Sequence, residues 1–473
     1  MNHRIAALLC AGALLSGCAR FGLVFETPEP PLQAAYSAPV PPIEVAGDPD
    51  TRWWEGFEDP VLTELVETAL ARNLDIETAR LRVREARAEA RIARSRLYPT
   101  LDGSASVGGD LRSGDQGAGD EGTDAEGSAD ALLGFNWDAD LFGGLRAERA
   151  ALRAEAFRQE ALRAAAALTV AADMANLYVT LRGAQLRFAL AEDSLDLQQR
   201  TLQLVGGRVD AGLATGLDRV RAEAAVAQLA SELPPIRVEI ERTKNAIAVL
   251  AGTLPGTVSA RLEPPRPVPV LERGPGVGVP ADLLRRRPDM RAAEYAIAVT
   301  AAEVGVAQAA LYPRLTIPGS IGIDVGGLGA GGIVTAVVGS LSAVLDVPLF
   351  DAGARRADID AAEARAQQAL VAYRQTLLDA VAAVEAALIG HAGARDRAAA
   401  LRDAVAANGE AAERARSLYT QGLAGFIDVL DAQRELTDSR LALAEAETAL
   451  AQEAIALYRA LGGPVLPTPG AGA

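Results

Sequence analysis

Leu97-Tyr98-Pro99-Thr100-Leu101 and Leu311-Tyr312-Pro313-Arg314-Leu315 are two versions of one phrase, and the chain is written twice around them. Asn73-Leu74-Asp75 stands before the first. An Asp-x-x-Leu-Phe element (Asp138, Leu141, Phe142) and an Ala-Gly-Leu element (Ala211-Gly212-Leu213) follow it. The second copy answers in order with Arg287-Pro288-Asp289, then Asp346, Leu349 and Phe350, then Gln421-Gly422-Leu423. The offset is 214 residues at the tag, 208 at Leu-Phe and 210 at Gly-Leu, so insertions are short and the first copy carries its extra residues between tag and Leu-Phe. Repetition on this scale makes one intertwined unit of two equivalent halves.

From Leu145 to Asp210 and from Ala354 to Tyr419 there is no proline, and Ala, Leu, Arg, Glu and Gln dominate. These are the strongest helix formers. A helix of about 66 residues spans on the order of 100 Å, far beyond the three or four turns of an ordinary helix. Such a rod persists only if a stripe of small and apolar residues packs on neighbours, and Leu162, Ala165, Leu168, Ala172, Ala175 and Val179 supply one. A glycine-containing break follows each rod, then a return segment, Asp218 to Leu250 and Asp428 to Leu461. Each copy thus contributes a long antiparallel hairpin. Pro234-Pro235 is expected to interrupt the first return helix, because proline removes an amide donor and its ring crowds the preceding turn.

Between tag and Leu-Phe the period changes to two. Leu101, Gly103, Ala105 and Val107 alternate with Asp102, Ser104 and Ser106, and Leu133, Phe135 and Trp137 with Gly134, Asn136 and Asp138. In the second copy Leu315, Ile317, Gly319, Ile321 and Ile323 alternate with Thr316, Ser320 and Asp324, and Leu341, Ala343 and Leu345 with Ser340, Ser342 and Asp346. Four strands of about ten residues with one apolar and one polar or small face match the wall of a transmembrane β-barrel. Residues 325–345 carry no charge, but their six glycines and a charged counterpart in copy one argue against a membrane helix. Four strands cannot close a barrel, and an open edge in lipid leaves backbone groups unpaired. The subunits must associate. Asp110 to Asp130, rich in glycine and acidic residues, reads as a solvated loop at the turn of the first hairpin.

At the other extreme of the chain, Arg4, the apolar run Ile5 to Gly17 and Leu15-Ser16-Gly17-Cys18 form a lipoprotein signal that is cleaved before a lipid-bearing cysteine. Residue 19 is Ala rather than the Asp of inner-membrane retention, so the outer membrane is the expected destination. The only other cysteine, Cys10, lies in the removed segment, which excludes a disulfide. Composition narrows the chemistry further. His3 is in the signal and His391 in an alanine-rich helical stretch, where a packed or solvated residue is expected before a ligand. No catalytic or metal motif appears, and neither cofactor nor metal is expected. A net charge of −16 with a single lysine, Lys244, argues against nucleic acid, which is bound by clustered basic side chains.

Together these features resemble the TolC-like outer-membrane factors, specifically the OprM-like (NodT-type) lipoprotein branch that serves resistance-nodulation-division efflux systems. The similarity covers residues 50–463 and rests on Trp53-Trp54-Glu55-Gly56-Phe57-Glu58-Asp59-Pro60, both Leu-Tyr-Pro tags, Arg286-Arg287-Pro288-Asp289-Met290-Arg291-Ala292-Ala293-Glu294, Pro348-Leu349-Phe350-Asp351-Ala352-Gly353 and Ile427-Asp428-Val429-Leu430-Asp431-Ala432-Gln433. The resemblance implies a homotrimer of mixed α and β class, with a twelve-stranded outer-membrane β-barrel continuous with a periplasmic α-helical tunnel that ends in a closable iris. It also implies two partners, a periplasmic adapter protein and an inner-membrane pump.

The same resemblance assigns sites. Asp428 and Asp431, three residues apart and so on one helix face, become a ring of six carboxylates under a threefold axis. Ile427 matches an apolar constriction position. The alternative for Asp428 is a helix cap, as Asp218 would be in copy one. Copy one has Arg221 where copy two has Asp431. Asp218 and Tyr419 match a closed-state link between hairpins, whereas Ala424 stands where TolC has an arginine, which removes the basis for a second link. Arg208, Gly212 and Leu213, with Gly422 and Leu423, match the tip motifs that meet the adapter, and the same glycines serve as helix stops.

The expected division is a signal peptide (1–17), a lipid-anchored leader (18–58), repeat 1 helices (59–98), barrel hairpin 1 (99–140), helical hairpin 1 (141–255), a linker (256–279), repeat 2 helices (280–312), barrel hairpin 2 (313–349), helical hairpin 2 (350–463) and a flexible tail (464–473). The function so implied is a passive, non-enzymatic exit duct for small molecules in the outer membrane, reaching into the periplasm. The alternatives are a type I protein-secretion duct on the same fold, and a lipid-anchored helical scaffold without a pore, which requires the strand segments to be soluble.

Overall fold

The computed structural model describes residues 52–115, 121–271, 287–326 and 334–463. The signal peptide, Cys18, the leader before residue 52 and the tail from 464 lie outside the described residues. A 3-10 turn (Trp53–Phe57) precedes α1 (Pro60–Arg72) and α2 (Leu74–Ser95), then β1 (Thr100–Asp115) and β2 (Glu121–Asp138), then the long hairpin of α3 (Gly144–Asp210) and α4 (Gly216–Leu250) and a one-turn α5 (Ser259–Leu262). The second copy gives α6 (Pro288–Ala309), β3 (Arg314–Gly326), β4 (Val334–Leu341), β5 (Val344–Asp346), α7 (Ala354–Thr420) and α8 (Phe426–Ala460). Two compact units result. One holds the strands with the greater parts of α2 and α6 and the adjoining parts of α3 and α7. The other holds the Trp53 turn, α1, α4, α8 and the remainder of α3 and α7.

Both rods are 67 residues long and both return helices 35. Each rod stops at a glycine in the left-handed region, Gly212 at φ 74° and Gly422 at φ 75°. There Leu213 N bonds back to Arg208 O at 2.7 Å and Leu423 N to Leu418 O at 2.9 Å, which satisfies terminal carbonyls. The interruption expected at Pro234-Pro235 is absent, and α4 runs through both prolines. Their freed carbonyl partners, Ala230 and Ser231, are on exposed residues, so solvent satisfies them.

In the second unit the Trp53 turn is the centre of the core. Trp53 stacks on Tyr458 at 5.2 Å and meets Trp54 edge-on at 5.8 Å, while Leu62, Val66 and Ala69 of α1 share one buried core with Ala171, Ala175 and Tyr178 of α3. Of the anticipated stripe, Leu168, Ala172, Ala175 and Val179 are buried, but Leu162 is exposed in the single chain. Around Ala167 to Ala184 nearly every α3 residue is covered, because the leader turn, α1, α4 and α8 all share this level of the helix. The repeat reappears in the fastening of the return helices: Asn73 Nδ2 donates to Leu250 O at 3.0 Å, and Arg287, its counterpart, donates to Ala460 O.

In the first unit the strands form one antiparallel sheet in the order β1-β2-β3-β4, with β5 also on β3. β1 and β2 stay paired out to Asp115 opposite Glu121, so most of the loop expected over Asp110–Asp130 is strand. Ladder bonds need only backbone groups, so glycine and acidic residues do not prevent the pairing. The fourth strand is broken into β4 and β5 at one point. Pro318 of β3 accepts from Ser342 N at 3.0 Å but has no amide to return, while the register is the same on either side of the gap.

Candidate functional site

Register decides what the sheet can face. Residues directly opposite share a face, and the pairs Leu101–Phe135, Leu133–Ile321, Trp137–Ile317 and Ile323–Val337 are all odd-numbered. The four apolar stripes read along the chain therefore merge on one side. Val107, Val337 and Leu341 are 84%, 76% and 77% exposed there. The even-numbered face carries Asp102, Ser104, Asn136, Thr316 and Asp324, with Ser106 Oγ donating to Asp130 Oδ1 at 2.6 Å and the Ser320 and Ser340 hydroxyls 2.8 Å apart. One side suits hydrocarbon, the other water.

In the other unit, the two helix hairpins meet at their turns through a small core of Val205, Ala222, Tyr419, Phe426 and Val429. Ile427, Asp428 and Asp431 all lie on the exposed side of α8. Asp428 Oδ2 accepts from Gly425 N at 2.9 Å and so acts as a cap within the chain, leaving its other oxygen free. Asp431 has no partner among the described residues. Gly212, Leu213, Gly422 and Leu423 are exposed at the turns.

Asp218 and Tyr419, the pair expected to link the hairpins, share no hydrogen bond among the described residues. Asp218 is held in a capping box, its Oδ2 accepting from Thr215 N at 3.0 Å and Thr215 Oγ1 at 2.7 Å, because a helix start with four unbonded amides competes for it. The Tyr419 hydroxyl is buried without a partner. Burial raises its pKa, the neighbouring Asp218 charge adds to the rise, and Arg208 opposes it. Arg208 clasps Tyr419 instead. Its guanidinium lies 4.6 Å from the ring centre and its Nη1 donates to Tyr419 O at 2.9 Å and Thr420 O at 3.4 Å. These carbonyls are the last of α7, at the negative end of its dipole, and Tyr419 O also accepts from Gly422 N at 3.0 Å. Arg208, expected on the adapter surface, is thus half-buried and engaged between the two copies. Leu418 stands at its place in copy two, an asymmetry visible in the sequence that the tip motif concealed.

A second contact network escaped sequence reasoning altogether. Tyr178 donates to Asp59, and Arg182, fully buried, stacks 4.8 Å from the Tyr178 ring and donates to Gln185 Oε1 at 2.6 Å and Pro264 O at 2.9 Å. It ties the segment after α5 to α3. Nothing in local spacing marks it.

A two-solvent sheet with unpaired edges, joined to duplicated rod-like hairpins, defines an outer-membrane channel protein. The profile described as "Outer membrane efflux protein" matches residues 65–253 and 279–463, and the chain belongs to that family. It is 31% identical over 452 residues to nodulation protein T of Rhizobium leguminosarum bv. trifolii, covering 95% of this chain and 94% of that protein. It is 30% identical over 464 residues to the outer membrane protein OprJ of Pseudomonas aeruginosa, covering 97% and 95%. Among solved structures the outer-membrane channel OprN superposes with a TM-score of 0.81 at 32% identity, covering 93% of this chain and 98% of that one. The protein is an efflux channel of the outer membrane.

Proposed function

We propose that three copies assemble into a passive exit duct, anchored by lipid on Cys18, that receives small molecules from a periplasmic adapter and an inner-membrane resistance-nodulation-division pump. The observation that carries this reading is the register. It merges the apolar stripes onto one face of a sheet whose two outer strands each have one unpaired side among the described residues. In this reading Ile427, Asp428 and Asp431 ring the periplasmic end, Arg208 with Tyr419 and Asp218 lies behind the ring, and Gly212, Leu213, Gly422 and Leu423 form the tips that meet the adapter. No residue is assigned a chemical step. The efflux names of the relatives favour this duct over a type I secretion duct.

The gate is tested in planar bilayers. Replacing Asp428 and Asp431 together by Ala should raise conductance, weaken cation preference and remove block by trivalent cations, since carboxylates at a constriction bind those ions. Unchanged block would reduce Asp428 to the helix cap it forms in the single chain.

A further inference from the structure

The apolar face of the sheet is indented. A groove of about 460 Å³ crosses it, and its odd-numbered lining is Gly103 and Ala105 of β1, Ala131 and Leu133 of β2, and Ile321 and Ile323 of β3. These residues make two successive rungs, Gly103 with Leu133 and Ile321, then Ala105 with Ala131 and Ile323. The glycine and the alanines form the floor, while Leu133, Ile321 and Ile323, 47%, 58% and 49% exposed, stand as walls. A Cβ added at Gly103 would meet nothing within 4 Å.

The strand that supplies most of the floor is fed by α2, whose last turns carry a basic face. Arg84, Arg87, Arg91 and Arg94 are three and four residues apart, so they share one side of the helix, and all four are exposed. Arg91 and Arg94 make no ion pair among the described residues. They lie within about 6 Å of the end of the helix, and Gly103 and Ala105 lie roughly 10–17 Å along the strand that follows. The four arginines and the groove belong to the same compact unit. The fold requires neither feature, because copy two lacks both. The tag offset sets Ala298, Ala301, Gly305 and Gln308 of α6 against the four arginines and Ile317 against Gly103. Where the basic face is missing, a branched side chain replaces the floor.

We infer that copy one holds a site for one anionic phospholipid of the periplasmic leaflet, with the lipid phosphate on Arg91 and Arg94 and an acyl chain in the groove between Gly103 and Ile323. This rests on the duct reading in setting the odd-numbered face against hydrocarbon. The headgroup layer beside that hydrocarbon is roughly 5–8 Å deep, so guanidinium groups just beneath the strands stand at the level of the phosphates. Their planar fork matches phosphate oxygens. Further in, an empty groove forfeits dispersion contacts that a chain of methylenes restores. Charge sets the class of lipid, because a zwitterionic headgroup offsets its own phosphate whereas an anionic one leaves a net charge for the arginines.

The site is read by native mass spectrometry of full-length protein in detergent, incubated with dioleoyl phosphatidylglycerol or dioleoyl phosphatidylcholine. Wild type should retain one phosphatidylglycerol per subunit, roughly tenfold or more over phosphatidylcholine, as two arginines at an anionic headgroup imply. Arg91→Gln with Arg94→Gln should abolish that preference. Gly103→Leu, which fills the groove without meeting a neighbour, should lower retention of both lipids, whereas Val107→Leu, on the same face outside the groove, should behave as wild type. Cys18→Ser should retain phosphatidylglycerol as wild type does. Equal retention of the two lipids by wild type overturns the site, as does a Cys18→Ser protein whose groove no longer excludes or holds lipid as before, since the chain's own acyl group would then be the occupant. A double arginine variant that alters the ion selectivity of the channel but not lipid retention also overturns it, because the basic face would then line the water path. Each of these outcomes leaves the duct intact. A protein that retains lipid but neither assembles nor conducts overturns the duct reading instead.

Discussion

Tyr178 Oη donates to Asp59 Oδ2 at 2.5 Å across 119 residues of chain, and the same carboxylate, through Oδ1, accepts from Val61 N at 2.8 Å and Leu62 N at 3.2 Å to cap α1. One aspartate therefore starts a short helix and fastens it to the longest helix of its copy. The leader turn with Trp53 and Trp54 is held in place by that fastening.

The contact gives an alkaline signature. Burial first, then the hydrogen bond to Asp59, pushes the Tyr178 pKa from 10.0 up to about 12. The fold holds this proton more tightly than the unfolded chain does, so the stabilisation is complete below pH 10 and is lost as pH rises through about 12. Thermal unfolding followed from pH 8 upward should show a fall in Tm confined to that window. In Tyr178→Phe the fall should be shallower and the Tm at neutral pH lower.

Arg208 supplies a second prediction. A hydrogen bond to a charged donor contributes about 1.5–3 kcal/mol, which is roughly a tenfold or larger shift in a two-state equilibrium. Arg208→Ala should raise the open fraction of single channels accordingly, and Arg208→Lys should fall between it and wild type because lysine lacks the stacking fork. Arg219→Ala, which removes an equal charge from a bridge to Asp210 inside copy one, is the control. Equal conductance in all three would mean that the clasp has no part in closure.

Helix approach is tested at Gly183. A Cβ there would come within 2.3 Å of Thr448 Oγ1 and 2.8 Å of Thr448 Cγ2, so α3 and α8 touch where only glycine fits. Gly183→Ala should cost about 1–3 kcal/mol as overpacking. Adding Thr448→Ala should recover much of it, read as a non-additive double-mutant cycle in chemical denaturation.

Cys18→Ser should abolish lipid labelling yet leave much of the protein in the outer membrane, because one anchor adds modest affinity beside a spanning sheet. Palmitate incorporation at the wild-type level in this variant would remove the lipid assignment.

The sequence by itself determined everything that depends on periodicity along the chain. Repetition around Leu97-Tyr98-Pro99 announced two equivalent copies, long proline-free runs announced the rods, and alternation from Leu101 to Val107 and from Leu315 to Ile323 announced strands with two unlike faces. These survive translation into structure because side-chain direction repeats every 3.6 residues in a helix and every two in a strand. The tertiary structure alone decided which group meets which. Asp218 turned to Thr215 and Arg208 to Tyr419, since unbonded amides at a helix start and carbonyls at a helix end compete for the nearest partner, and nearness across 211 residues is set by packing. Pro234 and Pro235 were absorbed into α4 because their carbonyl partners happen to face solvent. The register that merges four apolar stripes into one face is likewise a property of strands meeting in space.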